Sequence, residues 1–297
     1  MPVEVLMLNF QKLTLEHIDE IKPFFHAHPT MICDNTVGGA FMWRDYFSTE
    51  FAKFNDTLIF KAKIKYFNDI IAFSMPLGSD VQGSLKEIEL YCRETGTPVV
   101  FCTVTENDIG ELKKDFNSLT IYPEENWNDY IYDKNDLTLL KGKKWHGQKN
   151  HINYFIKTNE DYRFEKITGE NISGVKEFFS SLEITNNSDI FIEERKKVFE
   201  VLDNYEAYGL TGLLLRANGS VCAFALGEII GNVLYVHIEK ADKSIRGAHQ
   251  MIVREFAAQD GITHINREED VGDPGLRASK MSYHPVDILK KHIVKVN

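Results

Sequence analysis

The sequence predicts an α/β fold in which one plan, a mixed sheet flanked by helices, is laid down twice. Three observations predict it. Stretches with apolar residues at helical spacing alternate along the chain with short apolar runs of strand length. Asn-Asp, Asn-Gly and Gly-Asn pairs separate several of the strand-like runs, as hairpins require. Each half reads hairpin, loop, helix, apolar strand, helix, strand, although the halves share no evident identity. The expected division is an N-terminal domain over residues 1–136, a basic connector helix over 137–160 and a C-terminal domain with the active site over 161–297.

At 297 residues the chain is long for one domain, and a 43% hydrophobic share with 20 Phe supplies core without metal or disulfide support. The net charge of -10 excludes a general nucleic-acid coat and a broadly cationic membrane surface, but leaves room for a local basic patch. Cys33, Cys92, Cys102 and Cys222 lack zinc-site spacing and sit among apolar neighbours, which predicts buried reduced thiols and no metal. The opening Met1–Phe10 has no basic flank and is too short for a signal peptide or span. No later stretch approaches about twenty apolar residues. A cytoplasmic protein with no integral membrane segment is expected; oligomeric state is not legible.

In the first half, Leu15, Ile18, Ile21, Phe24 and Phe25 predict an amphipathic helix from Thr14 to His28, with Thr14 as N-cap. Residues 29–56 hold an aromatic cluster that suits either plain core or a ligand pocket. Leu58 to Ala62 and Ile70 to Phe73 read as a hairpin across Asn68-Asp69. Ser84 and Glu87 form a capping box that opens a helix ending at Gly96. Pro98 to Thr103 is an apolar strand, Asp108 to Phe116 a helix, and strands near Leu119 to Tyr122 and Asp129 to Tyr132 close the half.

In the second half, helices are expected over Ile172 to Leu182 and Ile190 to Leu202. A meander follows of Leu210 to Arg216, Val221 to Ile230 and Val233 to Glu239, turned at Asn218-Gly219 and Gly231-Asn232. Then come a loop, a helix from Gly247 to Gln259, the strand Ile262 to Asn266, a helix from Pro274 and a last strand around His292 to Val296. Between the halves, Lys141, Lys143, Lys144, Lys149 and Lys157 with His146 and His151 face only Asp136. A helix over Trp145 to Ile156 would put Trp145, Ile152 and Phe155 or Ile156 on one side and Lys144, Gln148 and His151 on the other. A solvated connector accounts for this charge; so does a cationic surface for phosphates, the reading adopted for Lys143, Lys144, Lys149 and His151.

Chemistry concentrates between His264 and Pro285. Acyl transfer needs a base, donors for a developing oxyanion and a proton for the leaving group. Glu269 or Asp270, at a strand end, is the candidate base; Arg277 and Lys280, one turn apart, would face a phosphate or carboxylate. Asp273 is either a member of the catalytic set or the N-cap of the Pro274 helix. His237 and Glu239 alternate with apolar residues and would share the cleft face or a solvated one. Tyr283 is either an acid near substrate or packing, and Arg267 is expected to pair with acids. Arg246 and Gly247, at a helix start, suit an anion site, although glycine there also serves capping. No Ser-His-Asp set, P-loop or zinc signature appears.

With these residues placed, the C-terminal half resembles the GNAT acyltransferase fold. Val233 to Glu239 would be the fourth strand, Arg246 to Ala248 the phosphate-cradling turn and Ile262 to Asn266 the fifth strand. Ser244 stands where that turn ordinarily has arginine or glutamine. The runs Lys144 to Phe155 and Asn266 to Pro285 resemble the family of phosphatidylglycerol lysyltransferase catalytic domains and their stand-alone relatives, over nearly the whole chain. The resemblance implies tandem GNAT-like domains joined by a basic helix and aminoacyl transfer from charged tRNA to an amine or hydroxyl on a small-molecule, peptide or lipid acceptor. It puts tRNA phosphates on the Lys141 to Lys157 helix and the reaction at the acidic turn with Arg277. No tightly bound cofactor is expected, aminoacyl-tRNA or acyl-CoA being the co-substrate. The alternatives are an acyl-CoA-dependent N-acyltransferase and a non-catalytic binding module.

Overall fold

A computed structural model describes residues 8–183 and 188–297; the reading of the first seven residues lies outside them. The chain begins with β1 (Gln11–Lys12), α1 (Ile18–Ala27), α2 (Val37–Met42), β2 (Glu50–Phe54), β3 (Thr57–Ile64), β4 (Ile70–Phe73) and β5 (Leu77–Gly78). It continues through α3 (Val81–Thr95), β6 (Val100–Val104), α4 (Glu106–Asp115), β7 (Leu119–Pro123), β8 (Asp129–Asp133), α5 (Lys134–Leu139) and α6 (His146–Thr158). Next are β9 (Arg163–Lys166), α7 (Ile172–Ser181), α8 (Asp189–Asp203), α9 (Tyr205–Tyr208), β10 (Thr211–Ala217), β11 (Ser220–Ile230) and β12 (Val233–Ala241). The last elements are α10 (Ala248–Phe256), β13 (His264–Asn266), α11 (Pro274–Met281), β14 (Asp287–Leu289) and β15 (His292–Val296).

Two compact units result: the described residues up to Asp129 together with Leu289–Asn297, and Tyr130–Ile288. This corrects the expected boundaries in two ways. The final strand β15 is not an edge of the second sheet. It lies between β6 and β7 of the first, antiparallel to both, with Val294 opposite Phe101 and Ile121. Conversely β8, expected in the first half, pairs with β13 in the second sheet, Ile265 opposite Tyr132. Strand membership follows pairing and not chain order, because each sheet needs the other half's strand to fill its ladder.

The first sheet runs β1-β2-β3-β4-β6-β15-β7, with β5 on β3. Its core joins Phe73, Ile88, Phe101, Leu112 and Val294. The expected hairpin is present, with Ala62 opposite Ala72. The helix after it starts three residues before the expected capping box: Asp80 caps it, its carboxylate accepting from the Gly83 amide at 2.9 Å. Ser84 is instead buried inside the helix. Where the chain leaves this unit and returns to it, the Lys291 ammonium is held by Asp129 at 2.7 Å and Asp34 at 2.6 Å, with Cys33 Sγ at 3.4 Å. Lys291 and Asp129 are both buried, so each satisfies a charge that burial would otherwise penalise. All four cysteines are buried thiols, as expected.

The second sheet runs β14-β8-β13-β12-β11-β10-β9. Here β10, β11 and β12 are the predicted meander, and β12 and β13 are parallel, with Tyr235 opposite Asn266. The basic connector is not a bridge between domains but part of this unit's core. Trp145, Ile152 and Phe155 of α6 and the turn before it pack with Met251, Ile252 and Phe256 of α10.

Candidate active site

Polar side chains converge where β12 and β13 end. A bulge fixes the first of them: Leu226 pairs with Ile238 and Gly227 with Val236, so His237 is the extra residue of β12. Such an insertion re-aims side chains locally and suspends the alternation from which His237 and Glu239 were expected to share a face. Gly227 is required there, because a Cβ on it would lie 2.1 Å from the Tyr235 carbonyl oxygen.

His237 is clamped by two carboxylates. Its Nε2 lies 2.9 Å from Glu228 Oε1 and its Nδ1 2.6 Å from Glu268 Oε1, with His237 and Glu228 buried. Burial by itself would lower the imidazole pKa, but the hydrogen bonds to Glu228 and Glu268 outweigh it and raise the pKa to about 10. At neutral pH this ring is an imidazolium that donates to both acids. It holds the loop and has no lone pair to offer as a base.

The acidic turn after β13 is a constrained loop. Glu268, Val271 and Gly272 have φ of 58°, 47° and 80°, left-handed values that cost non-glycine residues about 1–3 kcal/mol each. Asp270 holds it together. Its carboxylate accepts from Tyr130 Oη at 2.5 Å, Arg277 Nε at 2.7 Å, Arg277 Nη2 at 3.0 Å and the Gly272 amide at 2.8 Å. Burial raises its pKa, yet the Arg277, Tyr130 and Gly272 hydrogen bonds win and hold it below the ordinary carboxylate value. Asp270 and Arg277, placed separately as base and anion-facing group from the sequence, are thus paired with each other. Asp273 accepts from the Leu276 amide at 2.8 Å and caps α11, with Pro274 in the first turn. Glu269 gives its backbone carbonyl to Lys280 Nζ, which also donates to the Arg267 carbonyl at 2.6 Å.

A second polar group stands beside the turn. Arg267 is 5% exposed and donates from Nε and Nη2 to the same Glu239 oxygen, at 3.0 and 2.8 Å. Its guanidinium carbon lies 4.7 Å from the Tyr283 ring centre and 5.5 Å from that of Tyr132. Burial raises the Glu239 pKa, but the Arg267 charge reverses this and leaves it lowered. Tyr283 Oη lies 3.4 Å from Nδ1 of His249, in the first turn of α10. Burial keeps His249 neutral, its pKa lowered despite the pull of Glu239. Sequence reasoning missed His249, Glu228 and Tyr130, and saw Glu268 only as one of three contiguous acids, without a role. All but His249 had a signal, as polar residues within otherwise apolar strands or beside the acids.

The two motifs of the sequence meet directly. Gln148 Nε2 donates to the Ser282 carbonyl at 2.6 Å, and His284 Nε2 lies 3.1 Å from the Lys144 carbonyl. Trp145 is buried against Tyr283 and His284, ring centres 6.4 and 5.1 Å away. Lys143 and Lys144 are exposed and Lys149 is half-buried; Lys144 reaches Asp136 at 2.9 Å. Arg246 packs over the Tyr154 ring at 4.6 Å. Gly247, with φ of 93°, has a local reason for its identity: a Cβ would lie 2.3 Å from the carbonyl oxygen of His151. The contact is with the His151 backbone, whose carbonyl carbon would lie 3.0 Å from the same Cβ.

With this geometry in hand, the chain matches, over residues 28–295, the model of a family described as phosphatidylglycerol lysyltransferase, C-terminal. A conserved protein of unknown function from Bacteroides thetaiotaomicron VPI-5482 is 33% identical and superposes with a TM-score of 0.89, covering 98% of this chain and 100% of that one. The C-terminal domain of a putative lysylphosphatidylglycerol synthetase from Agrobacterium fabrum shares the fold at 11% identity, with a TM-score of 0.67 over 95% of this chain and 92% of that one. An uncharacterised protein of Mycoplasmoides gallisepticum is 25% identical over 178 residues, 58% of this chain; the match spans 57% of that curated relative's length. The architecture is a mixed α/β one, with mixed sheets flanked by helices, in the fold of that synthetase domain.

Proposed function

The chain belongs to the family of phosphatidylglycerol lysyltransferase C-terminal domains, and we propose on that footing that it transfers an aminoacyl group from aminoacyl-tRNA to an amine or hydroxyl. Family and fold are those of GNAT-like acyl- and aminoacyltransferases; the donor, the acceptor and a cytoplasmic setting belong to the proposal. Among the described residues no helix is long and apolar enough to cross a membrane.

One observation carries the choice of donor. The basic helix α6 and the turn before it are bonded to the turn that follows α11, through Gln148 to Ser282 and His284 to Lys144. A surface suited to a polyanion and the polar cluster at the ends of β12 and β13 are therefore parts of one unit. Phosphates of the donor would lie on Lys143, Lys144, Lys149 and His151, as point charges on a sequence-independent backbone. Its ester would reach the cluster walled by Glu239, Glu269, Asp270 and Arg277, with Lys280 and His237 bracing the loop and Tyr283 lining it. An acyl-CoA donor has less behind it. Arg246 is engaged with Tyr154, and Gly247 is accounted for by the approach of α6.

The test is a titration of unfractionated charged tRNA against salt. Substituting Lys143, Lys144 and Lys149 by glutamine should weaken binding and flatten the slope of log K against log salt by roughly 0.7 to 0.9 per lost contact. An unchanged slope would remove tRNA as donor. Transfer is followed in parallel as loss of labelled aminoacyl ester with phosphatidylglycerol vesicles, peptides and small amines supplied as acceptors.

A further inference from the structure

Around the ends of β12 and β13 the charged groups Glu228, His237, Glu268, Asp270 and Arg277 are engaged with one another, but Arg267 has an amino group that is not. Nη1 is buried and makes no hydrogen bond, whereas Nε and Nη2 both bind Glu239. A buried donor left without an acceptor forfeits the hydrogen bonds that water gave it, a cost of about 1–3 kcal/mol. Folded proteins retain such a group where a bound partner or a catalytic role accounts for it. Two features show that this one is held deliberately: Glu239 fixes the guanidinium plane from one side, and the Tyr132 and Tyr283 rings pack against it. The tyrosine faces give the guanidinium a cation–π contact, which orients it.

Tyr283 is also the neighbour of His249. The two rings lie edge to face with centres 6.1 Å apart, and Tyr283 Oη reaches His249 Nδ1 at 3.4 Å. His249 sits in the first turn of α10, half-buried, and among the described residues no other hydrogen bond of its ring is found. The charged groups that act on it are Glu239 from β12 and Arg267 from the loop after β13, with Tyr283 approaching from the end of α11. With Nδ1 turned to Tyr283, Nε2 is the ring atom left for a reacting group.

We propose that His249 is the proton-transfer residue of the acyl transfer and that Arg267 Nη1 is the donor to the acyl carbonyl oxygen. The assignment rests on the transferase reading above. His249 Nε2 takes the proton from the acceptor's amine or hydroxyl as its nitrogen or oxygen bonds to the ester carbonyl carbon. The carbonyl π pair moves onto the oxygen, which Arg267 Nη1 stabilises where charge develops. When the pair returns, the bond to the tRNA ribose oxygen breaks and the imidazolium gives that oxygen the same proton, so no proton is gained or lost by the enzyme. Tyr283 is a positioning residue for both partners. His237 cannot take this part, being an imidazolium held by two acids, and Asp270 is bound on both oxygens.

The experiment uses the full chain, charged tRNA and the acceptor that gives transfer in the assay above. His249→Gln, at a partly buried ring with one weak bond, should keep the wild-type melting curve and lower the rate about 10²- to 10⁴-fold. It should also abolish the acidic limb of the pH–rate profile, and added imidazole should restore part of the rate to His249→Gly. Arg267→Lys keeps the charge but not the Nη1 donor, and should lower kcat about 10²- to 10³-fold with KM little changed. If Arg267→Lys unfolds, Tyr283→Phe provides the second arm, with a shifted acidic limb as its signature. An active enzyme whose His249→Gln rate and pH profile match wild type overturns this assignment alone. A wild type that transfers to no acceptor overturns the transferase reading and this role with it.

Discussion

His237 and His249 lie in the same unit, yet their surroundings drive them to opposite protonation states. For His237 the folded pKa is raised to about 10 against an ordinary 6.5. Its contribution to stability is therefore complete below about 6.5 and is lost as pH rises through about 10. At about 1.4 kcal/mol per pKa unit the loss amounts to a few kcal/mol. Urea unfolding across pH 6 to 11 should show this decline, and Glu228→Gln should end it at lower pH with a smaller total loss. A midpoint that stays flat to pH 11 would mean that the clamp stabilises nothing. For His249 the sign reverses: its folded pKa is depressed, so the unfolded chain takes the proton first and stability falls as pH drops below about 6.5. Asp270 adds a third edge. With its pKa lowered by Arg277 and Tyr130, its contribution is present above the usual carboxylate value and is lost as pH falls through the folded one. Asp270→Asn should accordingly reduce the melting temperature at pH 7, and reduce it less as pH falls through the lowered folded value. The acids of this turn were legible because they are contiguous in sequence. Their partners were not: Glu228 meets His237 across a bulged hairpin and Glu239 meets Arg267 across a parallel pair, and neither spacing leaves a mark in one sequence.

At the level of elements, the meander, the helix of the basic segment and the parallel strand after it could be read from periodicity and turn pairs, since those signals are local. Helix starts were less legible. Ser84 and Glu87 satisfy the capping-box pattern, but Asp80, four residues earlier, caps α3 and buries Ser84. Gly247 had been read as a phosphate-cradling glycine, and its position explains it without a ligand. Its φ of 93° is left-handed and the α6 backbone passes within 2.3 Å of where a Cβ would sit. Gly247→Ala should cost about 1–2 kcal/mol for the conformation and about 1–3 kcal/mol more for overpacking against His151 and Phe155. Gly261 is the control: φ is 76° and nothing lies within 4 Å of its Cβ position, so Gly261→Ala should cost the conformational part alone. Comparing the two melting curves separates the terms. Equal losses would show that α6 yields at no cost, and the close contact would then not explain the glycine.

The whole molecule is where sequence order misled most. The repeated plan suggested that each half closes its own sheet, but β8 leaves the first half for the second sheet and β15 returns from the C-terminus to the first. A strand such as His292–Val296 carries alternation and little else, so its pattern states that it pairs without stating with which strand. The consequence is a claim about which pieces fold. Residues 161–297 would lack β8 and α6, leaving β13 without its antiparallel partner and exposing the surface that Trp145, Ile152 and Phe155 cover on α10. Residues 130–288 keep the ladder from β14 to β9 and the helix packed on it. Expressed separately, the 130–288 piece should give a cooperative thermal transition and a protease-resistant core, and the 161–297 piece neither. Removing only Leu289–Asn297 from the full chain should selectively loosen the first unit, because it opens the β6 and β7 edges and strips Asp129 of the Lys291 ammonium. Breaking a buried ion pair from one side costs about 3–5 kcal/mol, on the scale of a domain's whole stability. Hydrogen exchange on the shortened chain would then show fast amides in β6, β7 and α4 while β10 to β12 keep their protection. Uniform protection in both sheets would place the C-terminal strand outside the fold's supporting structure and restore the division that sequence order implied.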